Sequence, residues 1–206
     1  TTRMAELRFL RGHSHFVLKL LFKHIPYVDE TLSNEEILKT SNREYSNDEL
    51  WNVIAADFEY AMNNLPETQP EVGRANKYAA AAYLAKLRLY QAYEQNEAHQ
   101  VVNINQQRLQ QVVDLTNMVI SSGQYSLQPS FAENFLYGYD NGPESVFAVQ
   151  FSKDDGTSVG RLSFVTGLNY PHGASQYGCC GFHAPSQNLV NAFTTDDNGL
   201  PNFDTF

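Results

Sequence analysis

The chain has 206 residues, with 14 Lys and Arg against 23 Asp and Glu, so its formal net charge is −9. Hydrophobic residues make up 42% of it and charged residues 18%, a globular composition that excludes a disordered chain and is enough for one large domain. An acidic chain is a poor ligand for nucleic acid, because that binding depends on Lys and Arg to neutralise phosphates. Two cysteines also exclude a disulfide framework.

Both ends have features typical of a piece of a longer protein. Apolar periodicity begins by Met4, and no basic and apolar leader typical of a signal peptide precedes it. The last stretch, residues 196–206, is rich in turn-forming residues. No apolar run approaches the roughly 18 residues of a membrane-spanning helix. We expect further chain before and after this sequence.

Residues 4–23 are predicted to form the first helix, which ends at Ile25-Pro26. Because residues 31–60 carry seven acids against two bases, we expect the basic side chains of this helix to pair with that segment. The apolar stripe comprises Met4, Leu7, Leu10, Val17 and Leu21, widened by Phe9, Phe16, Leu18 and Leu20. The polar stripe comprises Arg8, Arg11, His15 and Lys19.

Residues 27–45 are polar and are predicted to form a loop. Ser46 and Glu49 then fit a capping box, which predicts a second helix that Pro66 ends. Asp57 falls on the apolar side of this helix, and an unpaired buried carboxylate is costly, so we expect it to have a partner. The apolar positions of the helix are Leu50, Val53, Ile54, Phe58, Ala61 and Leu65.

Two more helices are predicted near residues 76–95 and 105–122, with Gly123 at the position where a left-handed residue commonly ends a helix. Two successive helix pairs, neither able to bury its apolar face alone, indicate an α-solenoid arrangement.

The pattern changes in the last third of the chain. Residues 145–151 (SVFAVQF) are short, apolar and β-rich, which predicts a strand. Residues 153–185 are rich in glycine and have no helical period, and long loops of this kind tend to be functional. Residues 186–193 have the pattern of a short helix.

Side-chain arrangements typical of catalysis or metal binding are scarce. The adjacent acid pairs, such as Asp154-Asp155, are explained by caps, turns and solvated loops. His13 and His15 are two apart on a helix and point to different faces, so no metal or other cofactor is predicted. Cys179 and Cys180 are neighbours, and adjacent Cα atoms, about 3.8 Å apart, favour two free thiols over a strained disulfide.

The best ligand candidates lie in the segment GLNYPHGASQYGCCGF. Sugar rings pack their C–H faces on aromatic rings, and their hydroxyls pair with planar amides. A loop that folds back on its own core would explain each of these residues equally well. Trp51, the single tryptophan, lies in a helix and is predicted to be core or interface. The candidate ligand residues are Asn169, Tyr170, His172, Gln176 and Tyr177.

Six segments, in the same order along the chain, resemble the SusD/RagB family of outer-membrane nutrient-binding lipoproteins of Bacteroidetes. The first has the family's acidic residue, Arg-Phe-Leu-Arg, an aromatic stretch, Leu-Phe and Pro. A lipobox cysteine is absent, and the family's chains are substantially longer. The segments are AELRFLRGHSHFVLKLLFKHIPYV, ELWNVIAADFEYAMNNLPET, GRANKYAAAAYLAKLRLYQ, VVDLTNMVISSGQYSL, PESVFAVQFS and GFHAPSQNLVNAF.

This resemblance implies a mainly α fold of tetratricopeptide-like helical hairpins with a short strand and long irregular loops. Residues 1–125 would form the helical region, and residues 126–206 a strand- and loop-rich continuation of the same, truncated domain.

The resemblance also implies a function. The whole protein would be a lipid-anchored, outward-facing outer-membrane protein that binds oligosaccharide without catalysis and delivers it to a SusC-like TonB-dependent transporter. Some members bind peptide instead. A generic helical-repeat module that binds only another protein is the alternative, because the helices alone fit it equally well.

Overall fold

A computed structural model of the chain describes residues 1–151 and 195–200. The chain divides into two compact units, Thr1–Val149 and Gln150–Phe206. In the second unit the described residues include a tight turn, in which Asp196 Oδ1 accepts hydrogen bonds from the Asn198 and Leu200 amides. The elements of the first unit are α1 (Thr2–Phe22), α2 (Asn34–Ile37), α3 (Asn47–Asn64), α4 (Lys77–Ala92), β1 (Tyr93–Gln95), β2 (Val101–Ile104), α5 (Gln106–Ser121) and a 3₁₀ turn (Phe131–Asn134).

Local capping chemistry starts α3 where the sequence predicts. At α3 the Glu49 amide donates to Ser46 Oγ and the Ser46 amide donates to Glu49 Oε2, which confirms the predicted capping box. Gly123, just beyond α5, has φ +67°, as predicted for a helix C-terminus. A second capping box at Ser33 starts α2 within the segment that was predicted to be a loop.

The helices pack in sequence order: α1 against α3, α3 against α4, and α4 against α5. This arrangement confirms the predicted mainly α fold of consecutive helical hairpins. Small side chains bring the helices close together, including Ala80, Ala81 and Ala85 of α4, which are almost fully buried. At Gly12 of α1 a Cβ atom would stand 3.1 Å from Asp57 Cβ, so α1 and α3 approach closely at that glycine.

The buried face of α1 differs from the apolar stripe that helical periodicity predicts. Leu7 is 62% exposed and Leu21 70% exposed, whereas Phe9 and Phe16 are buried. Helical periodicity shows that α1 has apolar side chains around much of its circumference, but it does not show which side meets α3. The glycine at position 12 decides this, because only the side of α1 that carries it can approach α3 so closely. The members of the predicted stripe that are 40% or more exposed are Met4, Leu7, Leu10, Val17, Leu18, Leu20 and Leu21.

The strand predicted at residues 145–151 is wrong, because that segment has no strand structure. Phe147 instead packs its ring against Phe9, with ring centroids 4.9 Å apart. Within the described residues, the strands are β1 and β2, an antiparallel hairpin between α4 and α5 that pairs Tyr93 with Ile104. Asn96 Oδ1 holds the tight turn that joins them by accepting hydrogen bonds from two backbone amides. A strand needs a second segment to pair with, so an apolar run alone does not make one.

Several predictions fall outside the described residues. They are the glycine-rich loop, the helix at 186–193 and the state of Cys179 and Cys180. The division of one domain at residue 125 also stays a prediction. Among the helices described, none is long and apolar enough to cross a membrane.

Candidate functional site

A buried carboxylate organises the junction of α1 and α3. Asp57 is fully buried, and Arg11 donates to it from Nε at 2.8 Å and from Nη2 at 2.6 Å, in a two-pronged contact. Arg8 Nη1 donates at 3.0 Å and the Tyr27 hydroxyl at 3.1 Å. The hydrogen bond to Asp57 raises the pKa of Arg11. The predicted partner of Asp57 is therefore confirmed, and it consists of Arg8 and Arg11 of α1.

The segment that follows α1 closes this cluster. Glu30 accepts from both Arg8 and Arg11, so two arginines face two carboxylates. His15 Nε2 accepts from the Val28 amide while its Nδ1 lies 3.1 Å from the Arg11 carbonyl, which assigns the proton to Nδ1. Burial lowers the pKa of His15, in keeping with a neutral ring. The charges are balanced within the cluster, so its role is structural.

A second buried network joins α3, α4 and α5 and was not predicted from the sequence. Arg88 donates to Glu59 at 2.7 Å and to Gln91 Oε1 at 2.6 Å. Gln91 donates to Asp48 at 2.7 Å, and Arg108 of α5 donates to Asn52 at 3.1 Å. Every member of this network is satisfied by another side chain, so it too stabilises the scaffold rather than offering groups to a ligand.

An open site lies at the C-terminal end of α1. It is a cleft of about 680 Å³ between the end of α1, the start of α3 and the β1–β2 hairpin. We call it the α1-end cleft. The residues that line it include Lys19, Lys23, His24, Arg43, Asn47, Trp51, Tyr90, Tyr93, Gln95 and Glu97.

Aromatic rings form one wall of the α1-end cleft. Tyr90 is 47% exposed, and its ring lies nearly parallel to that of buried Trp51, with centroids 6.4 Å apart. Phe16 meets Tyr90 edge-on at 5.9 Å, so Tyr90 is held on two sides. Tyr93 adds a second exposed ring. The prediction that Trp51 belongs to the core is confirmed, although Trp51 also backs the ring that the cleft presents.

Lys19 forms the charged floor of the cleft. It is 3% exposed, and its Nζ lies 4.5 Å from the centre of the Trp51 ring. The ammonium donates to the Lys23 carbonyl at 3.0 Å and to Asn47 Oδ1 at 2.7 Å. Burial, together with the charge of Lys23, lowers the pKa of Lys19 to about 8.

We expect this lowered pKa to make stability depend on pH. Between the folded pKa of about 8 and the ordinary value of 10.5, the unfolded chain holds a proton that the folded chain has lost, so stability rises with pH across that window. The rise should reach roughly 2–3 kcal/mol and should disappear in Lys19→Met. Urea unfolding of the unmodified chain and of Lys19→Met at several pH values measures this rise. Burial raises the pKa of Tyr27, but Tyr27 is present in both proteins, so its ionisation cancels in the difference between them.

The control for this experiment is Lys39→Met, whose side chain is 71% exposed. It should keep the pH dependence of the unmodified chain. An unchanged slope in Lys19→Met would show that Lys19 titrates normally in the folded chain.

None of the five predicted ligand residues, Asn169, Tyr170, His172, Gln176 and Tyr177, lies in the described part of the chain, so their role stays a prediction. Within residues 1–151 and 195–200, no group of three His, Cys, Asp or Glu side chains is arranged to hold a metal ion. The α1-end cleft leaves no spacing pattern in the sequence, because its walls come from three separate segments. The one sequence signal was the basic residues at the end of α1 and just beyond it.

The fold and the cleft define a helical-hairpin scaffold with an aromatic and polar binding surface. Residues 2–89 match the model of a SusD-like family described as starch-binding and associating with the outer membrane. A curated relative, SusD-like protein P25 of Formosa agariphila, is 26% identical over 153 residues, which cover 73% of this chain and 26% of P25.

Solved structures share the fold. A SusD-like protein from Bacteroides fragilis has a TM-score of 0.56 at 24% identity, over 73% of this chain and 27% of its own. A protein from the same species described as a SusD-like carbohydrate-binding protein has a TM-score of 0.51 at 24% identity, over 64% of this chain and 23% of its own. The family-model match covers residues 2–89, and the chain spans about a quarter of the length of these relatives.

Proposed function

We propose that this chain is part of a nutrient-binding component of an outer-membrane uptake complex. The whole protein would be lipid-anchored and outward-facing, would bind oligosaccharide without covalent change, and would deliver it to a SusC-like TonB-dependent transporter. The observation that carries the proposal is the match of residues 2–89 to a family described as starch-binding and associating with the outer membrane.

The chemistry of the described residues supports binding rather than turnover. Glycoside hydrolysis uses two carboxyl groups that face each other across the scissile bond, one of them free to give up a proton. In the part of the chain that the structure describes, the most buried acid, Asp57, is held by two arginines and a tyrosine, and Glu30 is paired with the same arginines. Such fixed ion pairs are poorly suited to proton transfer.

Isothermal titration of the full-length protein tests this function. Against a panel of oligosaccharides and peptides we expect saturable binding to an oligosaccharide, with no reducing ends released on prolonged incubation. Replacing Tyr170 or Tyr177 with Ala should weaken that binding about tenfold, because each ring is proposed to pack on a sugar face. Tyr137→Ala is the matched control, since Tyr137 is 99% exposed and outside the proposed ligand segment.

Three results would contradict parts of the proposal. No binding to any member of the panel would remove the nutrient site, and release of reducing ends would make the protein an enzyme. Binding to peptides alone would place the protein with the peptide-binding members of the family.

A protein-interaction module is the second candidate function, and the outer face of α1 favours it. Leu7, Leu21 and Phe22 are each more than 60% exposed there, which is unusual for a helix face that meets only water. A protein that is silent in every titration but still co-purifies with the transporter would support this alternative.

A further inference from the structure

We propose that the α1-end cleft is a subsite for an acidic saccharide, one that carries a carboxylate or a sulfate group. The inference rests on the proposed glycan-binding function and adds to it the chemical class of the sugar. It concerns other residues than those of the predicted ligand segment, 169–177.

The first argument is the aromatic wall. A pyranose ring offers apolar C–H groups on its face, and these pack on a flat ring that is accessible and fixed in orientation. Tyr90 meets both requirements, because it is half exposed while Trp51 and Phe16 hold it from behind. A fixed ring loses little conformational freedom on binding, which favours affinity. The cleft volume of about 680 Å³ lies within the ordinary range for small-ligand sites.

The second argument is the charge of the cleft. Its lining includes three cations, Lys19, Lys23 and Arg43, against the single acid Glu97, which leaves two positive charges in a chain of net charge −9. The Arg43 guanidinium lies 3.6 Å from Glu97 and its side chain is 62% exposed, so it can also turn toward a ligand. An excess of cations next to an aromatic ring favours a sugar with an anionic substituent over a neutral one.

The third argument is incomplete hydrogen bonding at His24. Its side chain is only 9% exposed, and neither ring nitrogen has a hydrogen-bond partner among the described residues. Glu97 Oε1 lies 3.5 Å from Nε2. Buried polar groups are normally satisfied, so two unpaired ring nitrogens next to an open cleft favour a polar ligand there. Both nitrogens are themselves buried, so such a ligand group completes their hydrogen bonds only when the His24 ring turns toward the cleft. Asn47 and Gln95 supply amides beside it for sugar hydroxyls.

Matched ligand pairs test the proposal on the full-length protein. One pair is a uronic-acid oligosaccharide and the same oligosaccharide with its carboxyl groups reduced to alcohols. The other is a sulfated oligosaccharide and its desulfated form. We expect the acidic member of at least one pair to bind about tenfold or more tightly than its neutral partner, and the difference to shrink when the salt concentration rises from about 0.01 M to about 0.15 M.

Substitutions locate that preference in the cleft. Arg43→Gln should weaken binding of the acidic ligand about fivefold, and Tyr90→Leu, which keeps an apolar contact with Phe16, about tenfold. Lys39→Gln removes the same charge as Arg43→Gln from an exposed side chain that does not line the cleft, and it should change the affinity less than twofold. Circular dichroism confirms that each variant is folded.

The outcomes separate this proposal from the function on which it rests. Binding of neutral oligosaccharides with no preference for acidic ones would overturn the acidic subsite and leave the proposed function intact, whereas no binding at all would remove both. A preference for acidic ligands that survives Arg43→Gln and Tyr90→Leu would place the anion site elsewhere. Equal competition by inorganic sulfate would show an anion site without saccharide recognition.

Discussion

Replacing Asp57 with Asn should lower the free energy of unfolding by about 3–5 kcal/mol, the cost of leaving buried ion-pair partners without their counterion. The side chain is fully buried and accepts from Arg8, Arg11 and Tyr27. Asn keeps the shape of the side chain but removes its charge, and it presents an N–H₂ group to donors that need an acceptor. Urea unfolding of the chain, followed by circular dichroism, measures the loss.

Glu30→Gln is the matched control for this substitution. Glu30 pairs with the same two arginines, but its side chain is 54% exposed, so water can replace the lost contact. We expect a loss of about 1 kcal/mol or less, the usual range for exposed ion pairs. Equal losses of unfolding free energy in the two variants would mean that burial does not determine how much Asp57 contributes to stability.

Phe9→Ala should cost about 3–5 kcal/mol, the usual range for truncating a buried phenylalanine. The Phe9 ring is fully buried and lies against Phe58, Tyr83 and Phe147 at centroid distances of 5.7, 5.5 and 4.9 Å. Removing it opens a cavity among three rings that come from α3, α4 and the segment after α5. Urea unfolding with an unchanged m-value would show that stability alone has changed.

Leu7→Ala on the same helix tests which face of α1 is the core. Leu7 belongs to the stripe that the periodicity emphasises, yet it is 62% exposed. Its truncation in this chain should change stability by about 0.5 kcal/mol or less, as for other surface substitutions. A loss as large as that of Phe9→Ala would mean that the periodic stripe, and not the face with Gly12, is buried.

The local signals in the sequence predicted local structure well. Ser46 and Glu49 bond each other within one turn, so the start of α3 needs no information from elsewhere in the chain. The same holds for Gly123, whose left-handed conformation an L-residue rarely adopts. The partner of Asp57 was also predictable, because a buried carboxylate requires a cation. The basic side chains of α1 were expected to pair with the acidic segment that contains Asp57.

The α1-end cleft was beyond the reach of sequence patterns. Lys19, Arg43 and Tyr90 lie in three separate segments of the chain, and no spacing rule connects them. The strand prediction failed for a related reason. An apolar run at residues 145–151 predicts a strand only if a second segment pairs with it, whereas the chain between α4 and α5 contains both strands and the turn that joins them.

The amino-acid sequence by itself determined the four long helices and most of their boundaries, because these depend on caps and helical periodicity. Only the tertiary structure decided which side of α1 is buried, that Asp57 joins two arginines with Tyr27, and that Tyr90 and Lys19 share a cleft. The physical reason is that burial and charge pairing depend on distances between helices. Those distances are set by close contacts such as the one at Gly12, which periodicity along a single helix does not encode.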